Sequence, residues 1–518
     1  MAHGTFFWGG NFLTPPPPPR APQQDFEELS ALRSAWCIFE VATSVDCDAH
    51  FEIIMSPGDN EKFADALAED FSSLREKVCN INVRNASTVV PADKQYIENE
   101  IEGKLGGFPS VDTSVIGALQ EWMAKTGYAA LETRQREKKA TNSLRKQLAD
   151  LLQQQGKFVE AEAQYRESFE AFQDSRDRFP LLTSIANCLR QRFMLEEAEK
   201  LDREALAGLR IIGERGDDYY KAVTSLANTL LKREKFAEAG PLYEEALAGR
   251  RSLIPAKPAL VLGSLDNVAV LKFEMGLYEE AELLFRESLK GKRELHGDED
   301  PKTLTTMNNL ALSLSDEMKF EEAVQLLQAA LAGKRKHQGV FHSETLTTMN
   351  NLGITYRRKG ELREAEKYFR YVLELRRKGQ RDGNVDAFTT AKDLARCYVE
   401  LAATDATALD KAESHAQEAL DGFRAVLKTE DTKHYYDALL TMGLILAKRG
   451  RLDEAEAHLL RARAGLQRKS GHTKRETIDA VRAVDDFRRR RSACSTLSSL
   501  STMSPKASSS HRGDAAHA

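Results

Sequence analysis

Apolar and small positions recur along residues 140–468 with a period of about 42 residues. A glutamate-alanine pair stands at 160–161, 197–198, 238–239, 280–281, 322–323, 364–365 and 454–455, and Lys411-Ala412 takes the remaining place in register. Leucine or an aromatic residue precedes each alanine by three positions, and leucine or phenylalanine follows the first seven alanines after eight. Alternating large and small apolar columns at this period predict repeated pairs of antiparallel helices.

Each repeat is therefore predicted to be one helical hairpin, and the chain holds eight of them. A small residue lets two helices approach closely, and the large residues fill the space up to the next hairpin. The turns are marked by Gly156, Gly276, Gly360 and Gly450. One hairpin alone leaves an apolar face in water, so the hairpins must stack. We expect an all-α superhelix of about eight hairpins with a concave inner wall.

Residues 140–468 resemble tetratricopeptide repeats of the kinesin light chain type. The period and the linkers at 295–301 and 337–342 carry the resemblance, together with the segment 303–311 and its near copy at 345–353. It implies that the first helix of each hairpin lines the concave face. It also implies that a protein or peptide partner binds there.

Polar residues beside the apolar-small pair of the first helices are the candidate peptide-binding residues. Asparagine is a poor helix former, so a row of asparagines on helices needs a reason beyond helix propensity. An amide donates and accepts hydrogen bonds, which suits the backbone of an extended peptide, while arginine and lysine suit carboxylates. The candidates are Asn187, Asn228, Asn267, Asn308, Asn309, Asn350, Asn351, Arg357, Arg358, Lys392 and Arg396.

By the same resemblance, asparagines in the column of Asn267, Asn309 and Asn351 clamp the peptide backbone, and nearby basic residues select acidic motifs. Other repeats interrupt this column with Gln147, Ser184, Ser225, Asp393 and Thr441. Two alternatives stay open. The asparagines cap or bridge neighbouring hairpins instead of binding a peptide, or the basic residues Arg357 and Arg358 form a solvated helix face.

The segment before the repeats follows another pattern. Residues 1–30 are proline-rich and predicted to be disordered, and residues 31–135 are predicted to form a small α/β unit. Its predicted elements are helices at 33–45 and 61–78, a strand at 51–55, an extended piece at 80–83 and helices over 91–132.

Residues 34–40 of this segment resemble the S-x-W-C-x-x-E stretch of Toll/interleukin-receptor-like domains, which implies a role for Glu40 in NAD cleavage. The upstream strands of such a domain have no counterpart here, so catalysis is not expected. The alternative is that Trp36, Cys37 and Phe39 pack in the core of an amphipathic helix.

Composition narrows the class of protein. The 518 residues carry a formal net charge of −5, which argues against nucleic-acid binding through phosphate contacts. Six cysteines form no C-x-x-C pair, so neither a disulfide framework nor a thiolate metal site is predicted, and a reducing compartment fits best. There is no apolar run of about 18 residues, and no familiar catalytic or cofactor motif. Residues 469–518 are predicted to form a capping helix and a serine-rich disordered tail.

We therefore expect a cytoplasmic, non-enzymatic adaptor that binds a protein or peptide partner, without cofactor, metal, nucleic acid or membrane insertion. The sequence leaves the oligomeric state open. The alternative is a signalling protein in which a partial or degenerate NAD-processing domain precedes repeats that act as the sensor.

Overall fold

In a computed structural model of the chain, the described residues are 91–103 and 108–501, together with 6–7, 53–54 and 65. Residues 173–175, 214, 254, 256, 339, 341, 380–384, 406 and 471–474 are excepted from these ranges. The described residues form nineteen helices and two strands of two residues each. The chain divides into two compact units, Met1–Arg381 and Asp382–Ala518.

The described residues before the repeats form two short strands and two helices. Strand β1 (Phe6–Phe7) pairs in parallel with β2 (Ile53–Ile54), which lies within the strand predicted at 51–55. Helices α1 (Pro91–Gly103) and α2 (Phe108–Arg136) follow. Helix α2 packs on the first hairpin and also contacts the second helix of the fifth. The remaining parts predicted for the α/β unit lie outside the described residues, so that unit stays a prediction.

Six helical hairpins complete the first unit. They are α3 (Asn142–Gln154) with α4 (Phe158–Glu170), α5 (Arg178–Gln191) with α6 (Leu195–Ile211), α7 (Asp217–Lys232) with α8 (Phe236–Arg251), α9 (Pro258–Glu274) with α10 (Tyr278–His296), α11 (Pro301–Asp316) with α12 (Phe320–Gln338), and α13 (Ser343–Lys359) with α14 (Leu362–Gly379). In every hairpin the two helices pack against each other, and each hairpin contacts the next. The hairpins predicted from the alanine column are confirmed.

The alanine column is the point of closest approach between paired helices. All eight alanines of the column are fully buried, from Ala161 to Ala455. On the first helix of the sixth hairpin, the small residue is Gly353, and a Cβ atom there would lie 2.7 Å from the ring of Phe369. The spacing between the helices is therefore set by the absence of a side chain, as the pattern predicted.

The turn inside a hairpin requires one residue in the left-handed region. Glycine supplies it at three of the predicted turns of this unit, with φ of 75° at Gly156, 77° at Gly276 and 92° at Gly360. Phe193, Glu234 and Met318 take the same conformation in the second, third and fifth hairpins, at φ of 60° to 65°. Side chains there add strain that glycine avoids, so those turns depend on packing.

The second unit contains two hairpins and a final helix. Its helices are α15 (Val385–Leu401) with α16 (Ala408–Leu427), α17 (Lys433–Lys448) with α18 (Leu452–Ser470), and α19 (Arg475–Ser501). Helix α19 buries Thr477, Ala480, Val484 and Phe487, and it packs against the last hairpin. It covers an apolar face of the last hairpin, and its role as a capping helix stays a prediction.

Candidate functional site

Asparagines on the first helices of the fifth and sixth hairpins lie next to each other. We call Asn308, Asn309, Asn350 and Asn351 the amide row. Each pair directly precedes the apolar-small pair that packs in its hairpin, so the core fixes the register of the amides. Asn308, Asn350 and Asn351 are only 6% to 7% exposed, whereas Asn309 is half-buried.

The amide row contains a continuous chain of hydrogen bonds between α13 and α11. Asn351 Nδ2 donates to Asn308 Oδ1 at 3.0 Å, and Asn308 Nδ2 donates to Asn309 Oδ1 at 3.2 Å. Within the described residues, Asn309 Nδ2 donates no hydrogen bond and Asn351 Oδ1 accepts none. The chain therefore ends in one donor and one acceptor, which are the two groups that a peptide backbone can satisfy.

One contact of the amide row bridges two hairpins. Asn308 and Asn351 connect two hairpins, so these amides have a structural role whatever else they bind. This contact also explains how asparagine is tolerated in the helices, because a buried amide that is hydrogen-bonded avoids the cost of an unpaired one.

The other predicted asparagines differ in how their amides are used. Asn187 accepts from Arg190 Nη2 at 2.7 Å, and Asn228 accepts from the hydroxyl of Tyr243 at 2.6 Å. Both oxygens are thus engaged by side chains of the same unit. Asn267 on α9 is half-buried and shares the register of Asn309 and Asn351.

Arg358 is engaged within the first unit. Its guanidinium lies 3.0 Å from Asp316 and donates to Ser315 Oγ at 3.4 Å, both on α11. Arg357 is half-buried. The neighbouring Lys359 pairs with Glu361 at 2.8 Å. The solvated-face alternative does not describe Arg358, whose side chain is 18% exposed and neutralised by the fold.

Lys392 and Arg396, both predicted to bind the partner, lie in an ion-pair network of the second unit. Lys392 pairs with Asp437 and, at 2.9 Å, with Asp393. Arg396 pairs with Asp479 of α19 at 2.7 Å and lies 3.6 Å from Asp437. Burial lowers the pKa of Lys392, but Asp393 and Asp437 outweigh it, so the pKa is raised. The charges that would attract an acidic partner are already neutralised by carboxylates of this unit.

Arg190 and Asp202 form a buried pair that the sequence did not indicate. Asp202 lies four residues after the column alanine, where Tyr165, Tyr243, Phe285 and Phe369 stand in other hairpins. The guanidinium of Arg190 lies 3.8 Å from Asp202 and donates to Thr229 Oγ1 at 2.9 Å. Burial raises the pKa of Asp202 to about 6.

A column of buried cations on the second helices was also missed. Arg250, Lys292, Lys334 and Arg376 are 3% to 7% exposed and stand 42 residues apart. Lys292 binds Asp266 and donates to Thr306 Oγ1 at 2.7 Å, so Asp266 faces the interior of the unit. The signal was a cation in a fixed register among leucines, but periodicity alone does not say that it is buried.

The structure offers little evidence for other kinds of site. In the described part of the chain, no group of three or more histidine, cysteine, aspartate or glutamate side chains is placed to hold a metal ion. No helix there is long and apolar enough to cross a membrane. Glu40 lies outside the described residues.

Comparisons with known proteins identify the repeats. Models of the tetratricopeptide repeat match residues 222–255, 260–336 and 314–378. The chain therefore contains tetratricopeptide repeats, as predicted. No curated protein matches the chain. The resemblance of residues 34–40 to a Toll/interleukin-receptor-like domain finds no support in these comparisons.

Several solved structures are similar to part of the chain. BtubC (BKLC) from P. vanneervenii is 25% identical, with 46% of this chain and 91% of that chain covered and a TM-score of 0.35. A Podosopora anserina protein with nearly identical TPR-like repeats, described as a kinesin light chain, is 20% identical, with 41% and 97% covered and a TM-score of 0.33. A Rap protein complexed with Competence and Sporulation Factor is 15% identical, with 67% and 98% covered and a TM-score of 0.46.

Proposed function

We propose that this protein is a non-enzymatic adaptor whose fifth and sixth hairpins bind an extended segment of a partner protein. The observation that carries the proposal is the amide row, which ends in a donor on Asn309 and an acceptor on Asn351. A strand of peptide laid across α11 and α13 would pair its backbone C=O with Asn309 Nδ2 and a backbone N–H with Asn351 Oδ1. Asn267 on α9 extends the same register by one hairpin.

The proposed recognition is of the peptide backbone rather than of its charge. Arg358, Lys392 and Arg396 are ion-paired with Asp316, Asp437 and Asp479, and these pairs would have to break before an acidic partner could replace them. Breaking a buried pair leaves an uncompensated charge, which is costly. We therefore assign no acidic preference to this site. A signalling protein with an NAD-processing domain has no supporting observation among the described residues.

Affinity capture tests the proposal. The full chain serves as bait in a cell extract, beside an Asn309→Ala variant and a Gln147→Ala control, and the retained proteins are identified by mass spectrometry. Gln147 lies in the same column on the first hairpin and is half-buried, so it controls for loss of an amide as such. A partner kept by the wild type and the control but lost by Asn309→Ala supports the amide row. Equal retention by all three contradicts it.

A further inference from the structure

A second surface of the first unit has the form of a docking groove. Between α10 and α12 lies a cavity of about 400 Å³. This volume is within the range of pockets that bind ligands, roughly 300–1,000 Å³. Its apolar side chains are Leu289, Leu310 and Leu326, and its charged rim consists of Arg286, Lys290, Arg293, Glu294 and Glu322.

The rim charges are not equally available. Arg286 bridges Glu282 and Glu322 at 2.7 and 2.8 Å, which links α10 to α12 along one side of the cavity. Lys290 is exposed and has no ion-pair or hydrogen-bond partner in the part of the chain that the structure describes. Its ammonium is therefore available to an acidic ligand. Arg293 on the next turn is already paired, because its Nε donates to Asp298 at 2.5 Å.

The fourth hairpin differs from the other hairpins of the first unit in the side chains that it presents on this surface. Leu283 is 71% exposed and lies one turn before Arg286 on α10. In the other hairpins of the first unit, the position equivalent to Leu283 holds Ala163, Lys200, Pro241, Gln325 and Lys367. The position equivalent to Lys290 holds Glu170, Ala207, Ala248, Ala332 and Glu374. Among these six hairpins, leucine and lysine thus occur together at the two registers only on α10. Single exposed leucines need no explanation, but one beside an apolar cavity enlarges a patch.

We propose that the groove between α10 and α12 docks a short amphipathic helix of a partner protein, with leucine-type side chains in the cavity and a carboxylate on Lys290. The cavity extends along two turns of α10, from Arg286 to Glu294, and Leu283 continues it by one turn. This length matches the apolar stripe of a short helix. The surface lies mainly on second helices, whereas the amide row lies on first helices, so the two sites are independent.

A defined probe tests the groove. The probe is a fluorescently labelled helical peptide of about 15 residues, with leucines on one face and glutamates flanking them. Its anisotropy is measured with the full chain and with Leu283→Gln and Lys290→Ala, which introduce the residues that α12 carries at the same registers. We expect each variant to weaken binding roughly fivefold or more. Salt should weaken binding to the wild type and have less effect on Lys290→Ala, because one charge contact is missing there.

Matched controls separate this site from the amide row. A peptide with glutamines in place of the glutamates should bind the wild type less tightly, and one with alanines in place of the leucines should not bind. Asn309→Ala should bind the probe as the wild type does. The proposal is overturned if no saturable binding occurs up to about 1 mM peptide, if the two α10 variants match the wild type, or if Asn309→Ala alone abolishes binding.

Discussion

The fifth and sixth hairpins and the seventh hairpin, in the second unit, carry polar side chains beside the apolar-small pairs of their first helices, but the two regions use them differently. Asn308 and Asn351 share one hydrogen bond and leave capacity at both ends of the amide row. Lys392 is ion-paired with Asp437, and Arg396 is ion-paired with Asp479, so both cations are already neutralised within the unit. The difference follows from charge. A buried ion must be neutralised by the fold, whereas a neutral amide can be partly satisfied and remain available to a ligand.

The largest expected effect is that of Asp437→Ala on the second unit. The substitution leaves Lys392 and Arg396 buried without their shared carboxylate, and we expect a loss of about 3–5 kcal/mol in the free energy of unfolding. Chemical denaturation monitored by circular dichroism measures it. The control is Asp453→Ala, because Asp453 pairs with Arg491 but its side chain is 91% exposed. A comparable loss in both variants would contradict the role of burial.

The same network predicts a pH dependence. Burial raises the pKa of Asp437, but Lys392 and Arg396 outweigh it, so the pKa lies below its ordinary value of 3.8. A lowered pKa of an acid contributes stability that is complete above the unfolded value and is lost as the pH falls through the folded value. The second unit of the wild type should therefore lose stability below about pH 4. Asp437→Ala lacks this carboxyl and should not show this part of the loss.

Asp202 sharpens the comparison because its pKa shifts in the opposite direction. It has one cation at 3.8 Å, and burial raises its pKa from 3.8 to about 6. A rise of this size corresponds to about 3 kcal/mol. Its contribution to stability is complete below about pH 4 and is lost as the pH rises through 6. Relative to Asp202→Asn, the wild type should lose about this free energy of unfolding between pH 4 and 7. A difference that does not vary with pH would be inconsistent with this environment.

Two single substitutions in the amide row should separate binding from stability. Asn351→Ala removes the hydrogen bond to Asn308, so the free energy of unfolding should fall by about 1 kcal/mol, and partner binding should also weaken. Asn309→Asp keeps an oxygen that accepts from Asn308 Nδ2 and removes only the outer donor, so binding should weaken by about 1 kcal/mol with little change in stability. Denaturation curves and titration calorimetry measure the two effects. A loss of stability without loss of binding in both variants would make the row purely structural.

The smallest predicted effect concerns the caps of α11 and α13. Asp300 caps α11 by accepting from the backbone N–H of Lys302 at 2.8 Å. His342 caps α13 by accepting from that of Glu344 at 3.3 Å. Aspartate caps better and interacts favourably with the helix dipole, so His342→Asp should add about 0.5–1 kcal/mol. Asp300→His is the matched reverse change and should lower the melting temperature.

Much of the fold could be predicted from the sequence, because each hairpin repeats one packing solution. The alanine column and the large residues around it fix the helices, their pairing and their number. The conformation of Phe193 and Met318 in the turns could not be foreseen, since tertiary packing overrides the preference for glycine there.

The candidate site was less predictable than the fold. Asn309 and Asn351 were predicted to act together in one column, and that stays a prediction; the sequence did not show that Asn308 joins them into one hydrogen-bonded chain. Lys392 and Arg396 were predicted to face a ligand. Their carboxylate partners lie 45 and 83 residues further along the chain, and the pattern on one helix does not reveal such distant partners. Contacts across hairpins decide which polar groups remain available, and those contacts appear only in three dimensions.

Recognition of a peptide backbone by the amide row is the central claim, and calorimetry with modified peptides tests it most directly. The segment of a captured partner is synthesised in two series, one with a single backbone N-methyl group at each position and one with alanine at each side chain. The account predicts that N-methylation near Asn351 weakens binding about tenfold, that alanine there has little effect, and that the N-methyl effect disappears in Asn351→Ala. Binding that depends on side chains and tolerates every N-methyl group would contradict it.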